Sequence, residues 1–319
     1  MNDVTYSLIE QAVDVLRGVA LVTPVKSNRA LDERAAASVF FKCENFQRVG
    51  AFKFRGAYHA IARHMASHHT STFATISSGN HAQGLALACR ILGAKAHVVM
   101  PNPHSSMKRQ AALDYGAAVC VAEDRTRAEA MLREMMKDTG AMLVHPFNDP
   151  LVIAGQGTIM VELLDQVNDL DIVLAPVGGG GLLSGLCIAA GACRPQIKIF
   201  ACEPAGALDA IESVRQNRVV PMSNPNTIAD GLRTSLGDRT LPVLRRYLAG
   251  FFIVEETEIL QAMRFAQEQL KLVIEPSSAV ALAPLLRREP QLRGKRVAVV
   301  LTGGNVDLAP LRQNLDALA

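Results

Sequence analysis

Apolar residues in the segment 6–16 recur at Ile9, Val13 and Leu16, a spacing that lays one stripe along a helix. Thr23-Pro24 closes that region. The Val- and Phe-rich run 39–42 predicts a short strand, and 54–65 predicts a helix. From Thr72 the pattern alternates. Strands are expected over 73–76, 96–100, 118–122 and 141–144, separated by helices over 82–92, 106–115 and 127–137. A helix over 152–167 follows, then a strand over 171–177, a helix over 182–192 and a strand over 197–202. A loop-rich stretch, 224–237, precedes a strand over 251–254, a helix over 256–270 and a last strand over 297–301. Alternating strands and helices predict an α/β chain: open, mostly parallel twisted sheets with helices on both faces.

Composition narrows the function classes. The chain has 319 residues, 49% hydrophobic and 20% charged, enough for a large core and about two domains. The net charge of +3 is spread without basic runs, Trp is absent and Tyr is scarce, so nothing resembles a stacking platform for nucleic acid. No apolar run approaches the roughly 20 residues of a membrane helix, and the stretch before Pro24 has no signal-peptide core. Six scattered cysteines without a Cys-x-x-Cys pair suit a reducing cytoplasm. His59, His64, His68 and His69 lie close together but lack carboxylate or cysteine partners at ligand spacing. They read as a solvated helix face and loop.

Three stretches carry chemistry. In the first, Lys53 stands between Phe52 and Phe54, with Gly50 and Gly56 on either side. Such neighbours desolvate an ammonium and free a nucleophilic amine for Schiff-base chemistry, although an isolated Phe-Lys-Phe is more commonly a snorkelling surface lysine. The second is Ser77-Ser78-Gly79-Asn80-His81, at an expected helix start where amides could receive a carboxylate. A plain capping turn is its rival reading. The third is Gly178-Gly179-Gly180-Gly181-Leu182, between a strand and a helix. Amides without side chains can close on an anion there, which points to a phosphate. Leu183 and Ser184 break the dinucleotide fingerprint, and Leu186 replaces the lysine of an NTP-binding loop.

Taken in order, these motifs resemble the fold-type II pyridoxal-phosphate enzymes of the threonine dehydratase and serine racemase family. The resemblance implies a tryptophan synthase β-like architecture. A small domain, 72–148, would be inserted in a large one built from 1–71 and 149–319, with the cofactor in the cleft. It implies that Lys53 holds pyridoxal phosphate and takes the substrate α-proton, with Phe52 packing beside the ring. Asn80 would bond its phenolic oxygen, Gly178–Leu182 its phosphate, and Thr302 its ring nitrogen, with Gly231 and Glu275 nearby. A capping role for Glu275 is its rival. Ser77, Ser78, Gly79, Asn80 and His81 would receive the substrate, Ser78 standing where a second acid/base acts in racemases. Phe147, Arg127 and 227–237 would shape the pocket. Glu203, the Ala207 carbonyl and Asp209 match a magnesium or manganese site, against the alternative of an ordinary acidic loop. Ala51 departs from the family's usual Ser or Thr. The implied activity is dehydration and deamination of L-threonine, L-serine or 3-hydroxyaspartate to a 2-oxo acid and ammonia by a cytoplasmic homodimer. The alternatives are an amino acid racemase with side dehydratase activity and, remotely, a non-catalytic amino acid sensor, which should lack the lysine or the glycine loop.

Overall fold

The computed structural model describes residues 4–307. In chain order the strands are β1 (Val25–Lys26), β2 (Ser38–Cys43), β3 (Thr72–Ile76), β4 (Lys95–Pro101), β5 (Ala118–Ala122), β6 (Met142–Leu143), β7 (Ile172–Pro176), β8 (Lys198–Pro204), β9 (Leu248–Val254) and β10 (Arg296–Leu301). The helices are α1 (Tyr6–Leu16), α2 (Arg29–Ala35), α3 (Lys53–His68), α4 (Asn80–Leu92), α5 (Ser106–Asp114), α6 (Arg125–Thr139) and α7 (Pro150–Gln166). They continue with α8 (Gly181–Cys193), α9 (Asp209–Gln216), α10 (Thr240–Tyr247), α11 (Glu256–Phe265), α12 (Pro276–Ala279) and α13 (Ala283–Leu286).

Among the described residues the strands form two sheets. One has six strands in the order β1-β2-β10-β7-β8-β9, the other four in the order β5-β4-β3-β6. Every pairing is parallel except β1 with β2. Central strands read as unbroken apolar runs because both faces are covered: β7 is buried at every position. One core fills each face of the larger sheet, α1, α7, α8 and α10 on one side and α2 with α11–α13 on the other. The smaller sheet has its own pair of cores.

Helix α7 is the spine of the molecule. A Cβ on its Gly155 would come within 2.6 Å of Gly56 Cα in α3, and Gly185 of α8 lies so close that its Cβ would meet Gly157 N at 2.5 Å. Two helices therefore cross α7 at backbone contact. One begins with Lys53 and the other with the glycine loop. A buried charge network fixes the same crossing. Arg55 forks onto Glu44 (2.8 and 2.8 Å) and Glu162 (2.6 and 2.9 Å), and Lys42 bonds Glu162 at 2.7 Å. Lys42, Glu44 and Arg55 are at most 1% exposed, so each charge depends on its partners.

Several expectations need correction. The helices α2, α9 and α10 and the short antiparallel β1 were not expected, because short amphipathic segments carry little periodicity. Strand β6 has two residues where four were expected, since only Phe73 and Ala74 pair with it. Helix α11 stops at Phe265 and continues as a π-helical turn over Ala266–Leu270. His59 is not solvated: it is fully buried between α3 and α7, with Nδ1 2.8 Å from the Leu151 carbonyl. Burial lowers its pKa to about 4, so it is a neutral core imidazole. Among the described residues no helix is long and apolar enough to cross a membrane.

Candidate active site

Strands β3, β7 and β10 end at one cavity of about 180 Å³. Ligands gather at the carboxyl ends of parallel strands because the connecting loops and helix starts converge there. Phe52, Lys53, Ser77–His81, Gly178–Leu182, Gly231, Glu275 and Thr302 all line it. The structure thus brings together every residue proposed for cofactor and substrate. It does not bring in Glu203, Ala207 and Asp209, which lie at the end of β8 and the start of α9.

The lysine is mounted by backbone. Phe52 N–H donates to the Thr302 carbonyl (3.0 Å), Gly304 N–H to the Gly50 carbonyl (2.9 Å), and Ala51 bridges Gly303. Behind it, a Cβ on Gly84 would lie 3.2 Å from the Lys53 carbonyl carbon, so α4 packs directly on the lysine's main chain. Lys53 Nζ donates to the Pro146 carbonyl at 2.8 Å and sits 5.0 Å from the Phe52 ring centroid. Desolvation lowers its pKa to about 8 against the weak pull of Glu275. An amine so placed is deprotonated readily near neutral pH.

The loop 178–180 delivers α8 with no side-chain cap, so the first amides of that helix are open toward the cavity. Gly180, at φ +84°, closes the turn; Thr240 Oγ1 lies 2.8 Å from where its Cβ would stand. Part of the glycine requirement is packing: Cβ atoms on Gly179 and Gly181 would collide with Phe147. Helix α4 likewise starts without a side-chain cap, at Gly79. The Ser77 hydroxyl accepts from Gly79 N–H (3.2 Å).

Glu275 is buried and has a definite set of partners. It accepts from Asn80 Nδ2 (2.6 Å) and from Lys108 Nζ (3.1 Å), while Asn80 Oδ1 accepts from Asn305 Nδ2 (2.9 Å). Its side chain caps no helix, which removes the capping reading. Burial, with the charge of Asp230 added, raises the Glu275 pKa against the pull of Lys108. Gly231 N–H donates to Ser277 Oγ (2.9 Å). His81 bonds the Val144 carbonyl (3.0 Å), and burial with the nearby Lys53 charge lowers its pKa to about 3. It is a neutral positioning group.

Sequence reasoning missed Lys108 and Arg125. Lys108 is 3% exposed and ion-paired to Asp230 (2.7 Å) and Glu275. Burial alone would lower its pKa, but the two carboxylates outweigh that and raise it. Its signal was faint: it shares the buried face of α5 with Ala112, four residues on. Arg125, not Arg127, lines the cavity at its rim, because α6 begins two residues earlier than its apolar pattern; the side chain stays half-exposed and pairs with Glu129 at 3.1 Å. Phe147 and the segment's Leu232, Arg233 and Thr234 do line it.

The model of the pyridoxal-phosphate dependent enzyme family matches residues 17–303. A serine racemase from Arabidopsis thaliana is 41% identical over 309 residues, covering 95% of this chain and 93% of that protein. A beta-hydroxyaspartate dehydratase from Paracoccus denitrificans is 41% identical over 293 residues, covering 92% and 93%. The solved structure of maize serine racemase superposes with a TM-score of 0.93 at 36% identity over 98% of this chain and 97% of that one. A readily deprotonated lysine, an uncapped glycine loop and a near full-length match agree: the chain belongs to the pyridoxal-phosphate dependent enzyme family.

Proposed function

We propose that this enzyme dehydrates and deaminates a β-hydroxy amino acid, giving a 2-oxo acid and ammonia. Hydroxyaspartate dehydratases and serine racemases among its relatives support that class. The observation that carries it is the Lys53 amine, desolvated beside a hydroxyl-bearing loop in a cavity that Thr302 also lines. The residues fit the cofactor: open amides at Gly178–Leu182 for its phosphate, Asn80, whose Nδ2 has a second hydrogen to give, Thr302 for the ring nitrogen, and Phe52, Gly231 and Glu275 around it. Pyridoxal phosphate, when bound, supplies the electron sink that acidifies the substrate Cα–H. Lys53 takes that proton. The amides and hydroxyls of Ser77–His81 hold the carboxylate. Thr302 offers a neutral hydroxyl, which fixes no proton on the ring nitrogen and so favours elimination over transamination. The test is one panel: L- and D-serine, L-threonine and the 3-hydroxyaspartate isomers, scored together for oxo acid and enantiomer. Formation of oxo acid from none of them would refute the assignment.

Racemisation is the second reading, favoured by Ser78, which lines the cavity with its hydroxyl free of a side-chain partner among the described residues. Ser78→Ala is expected to abolish racemisation while dehydration keeps at least about a tenth of its rate, since loss of one acid/base group removes about 10²-fold or more from the step that uses it. Equal loss of both activities would remove Ser78 from that role.

We further take 72–148 as an inserted domain, and the protein as a cytoplasmic homodimer with no nucleic-acid or membrane partner; its cysteines are free among the described residues. A magnesium or manganese ion at Glu203, the Ala207 carbonyl and Asp209 completes the reading. Glu203 is 1% exposed and accepts from the amides of Ala210 (2.7 Å) and Ile211 (3.0 Å). Burial raises its pKa from 4.5 to about 8 against those amides, and burial raises Asp209 to about 7. A cation between the two carboxylates would offset the cost of burying their charges. Protonated in the folded, metal-free protein, Glu203 contributes stability that is present below pH 4.5 and lost as pH rises to about 8. The melting temperature of chelated protein should therefore fall across that window, and magnesium should restore it most at the alkaline end. Glu203→Gln should flatten both responses. A melting temperature indifferent to chelator at pH 8 would reduce the loop to an ordinary turn.

A further inference from the structure

The segment 145–149 is a wall with two faces. One face touches the site: the Pro146 carbonyl accepts from Lys53 Nζ (2.8 Å), and Phe147 packs on Gly179 and Gly181. The other face borders a second, solvent-open pocket of about 560 Å³, lined by Leu8 of α1, the C-terminal half of α3 and Arg239.

The chemistry of that second cavity is one-sided. Arg63 and Arg239 line it, and neither guanidinium has an ion-pair or hydrogen-bond partner among the described residues. His64, His68 and His145 line it too. The single carboxylate present, Asp149, already spends Oδ1 on the Leu151 and Val152 amides (2.8 and 3.4 Å) as the cap of α7. Its Oδ2 lies 3.9 Å from His64 Nε2, a buried nitrogen with no hydrogen bond. His145 Nδ1 accepts from the Phe147 and Asn148 amides (3.3 and 2.9 Å), which puts its proton on Nε2. Burial and the charges of Arg125 and Lys53 lower its pKa to about 4, so His145 stays a neutral donor. Two unpaired guanidiniums and several N–H donors facing one preoccupied carboxylate form a receptor for a doubly charged oxyanion.

We propose that this cavity binds a phosphate group, free or on a small organic ester, and that its occupancy is felt at Lys53 through the shared wall. An anion drawing on His145 and Arg239 pulls on Asn148, whose Oδ1 accepts from the Arg239 backbone amide (3.1 Å) and whose Nδ2 donates to Asp238 (2.7 Å). Pro146 sits two residues away in the same wall. Coupling of this kind is reciprocal, so substrate must alter phosphate affinity by the same factor.

The test uses holoenzyme, in which bound cofactor fills the glycine loop, titrated calorimetrically with inorganic phosphate and, separately, glycerol phosphate. Binding at about 1 mM or tighter is expected for at least one of them. Tighter binding of the ester identifies an organic phosphate as the ligand; equal binding identifies the free oxyanion. The Arg63→Ala/Arg239→Ala double variant should lose at least about tenfold in affinity, with melting temperature and turnover in phosphate-free buffer close to the parent's. The Arg63→Lys/Arg239→Lys double variant should keep most of the binding, which guards against a folding defect in the alanine pair. Phosphate should shift the parent's KM for amino acid and leave that of the alanine pair unchanged. Failure of both probes to bind, or binding untouched in the alanine pair, would overturn the site; a KM indifferent to phosphate in the parent would overturn the coupling.

Discussion

Lys53→Ala is expected to lower turnover by about 10⁴-fold or more, because under the proposed function one change removes both the covalent anchor of the cofactor and the base that takes the α-proton. The visible absorbance of lysine-bound cofactor should vanish with it. The fold should survive. The Lys53 side chain makes one hydrogen bond, to Pro146, whereas α3 is held by buried Phe54, Tyr58 and Ile61 and by the Arg55 network. Circular dichroism and melting temperature therefore separate chemical loss from collapse. A small amine such as methylamine should restore part of the rate, since it can supply a base where the side chain was cut away. A variant that turns over at the parent rate would exclude Lys53 from the chemistry.

Gly155→Ala should be strongly damaging for a single added methyl group. Its Cβ would meet Gly56 Cα at 2.6 Å, the Arg55 carbonyl at 2.8 Å and Gly56 N at 2.9 Å, all main-chain atoms that no rotamer change can move. Relief requires α3 and α7 to separate. Overpacking of this kind costs about 1–3 kcal/mol or more. At this chain length that is on the order of 5 °C in melting temperature. Because α3 begins with Lys53, cofactor affinity should fall as well. Gly93→Ala is the control. Gly93 is the C-cap of α4, and nothing lies within 4 Å of its added Cβ, so only its φ of +69° is strained. A Gly155→Ala protein as stable as the parent would mean that this crossing is loose.

The same contrast explains what could be read from the chain alone. Strands β3, β4, β7 and β10 were legible because parallel central strands are continuous apolar runs ended by glycine or polar loops. The lysine, glycine-loop and Ser-Gly-Asn-His stretches were legible because each departs from what a helix or turn needs for itself. The second halves of long-range pairs were not. Nothing near Lys108 announces that Asp230 and Glu275, more than a hundred residues later, will make a buried position tolerable for an ammonium. Arg125 stayed hidden because a helix's first turn is set by its Asp124 cap, which accepts from Arg127 N–H at 2.7 Å, and not by apolar periodicity. His59 was misread because it was grouped with His64, His68 and His69, whereas it lies among Ala57, Tyr58, Ala60 and Ile61 and is buried where α3 packs on α7.

The Arg55 network bears on how this sequence can change over time. Removing one member of a buried ion cluster strands its partner in a dry interior, at about 3–5 kcal/mol, whereas replacing the whole set by apolar side chains can be neutral. Lys42, Glu44, Arg55 and Glu162 come from three separate stretches of the chain, so no single substitution leads from one acceptable state to the other. The mount beneath Lys53 is thus walled off from stepwise drift. Descendants of this chain would inherit these four charges together, as one block, while the cavity-lining Arg233 and Thr234, which belong to no buried ion cluster among the described residues, remain free to diversify.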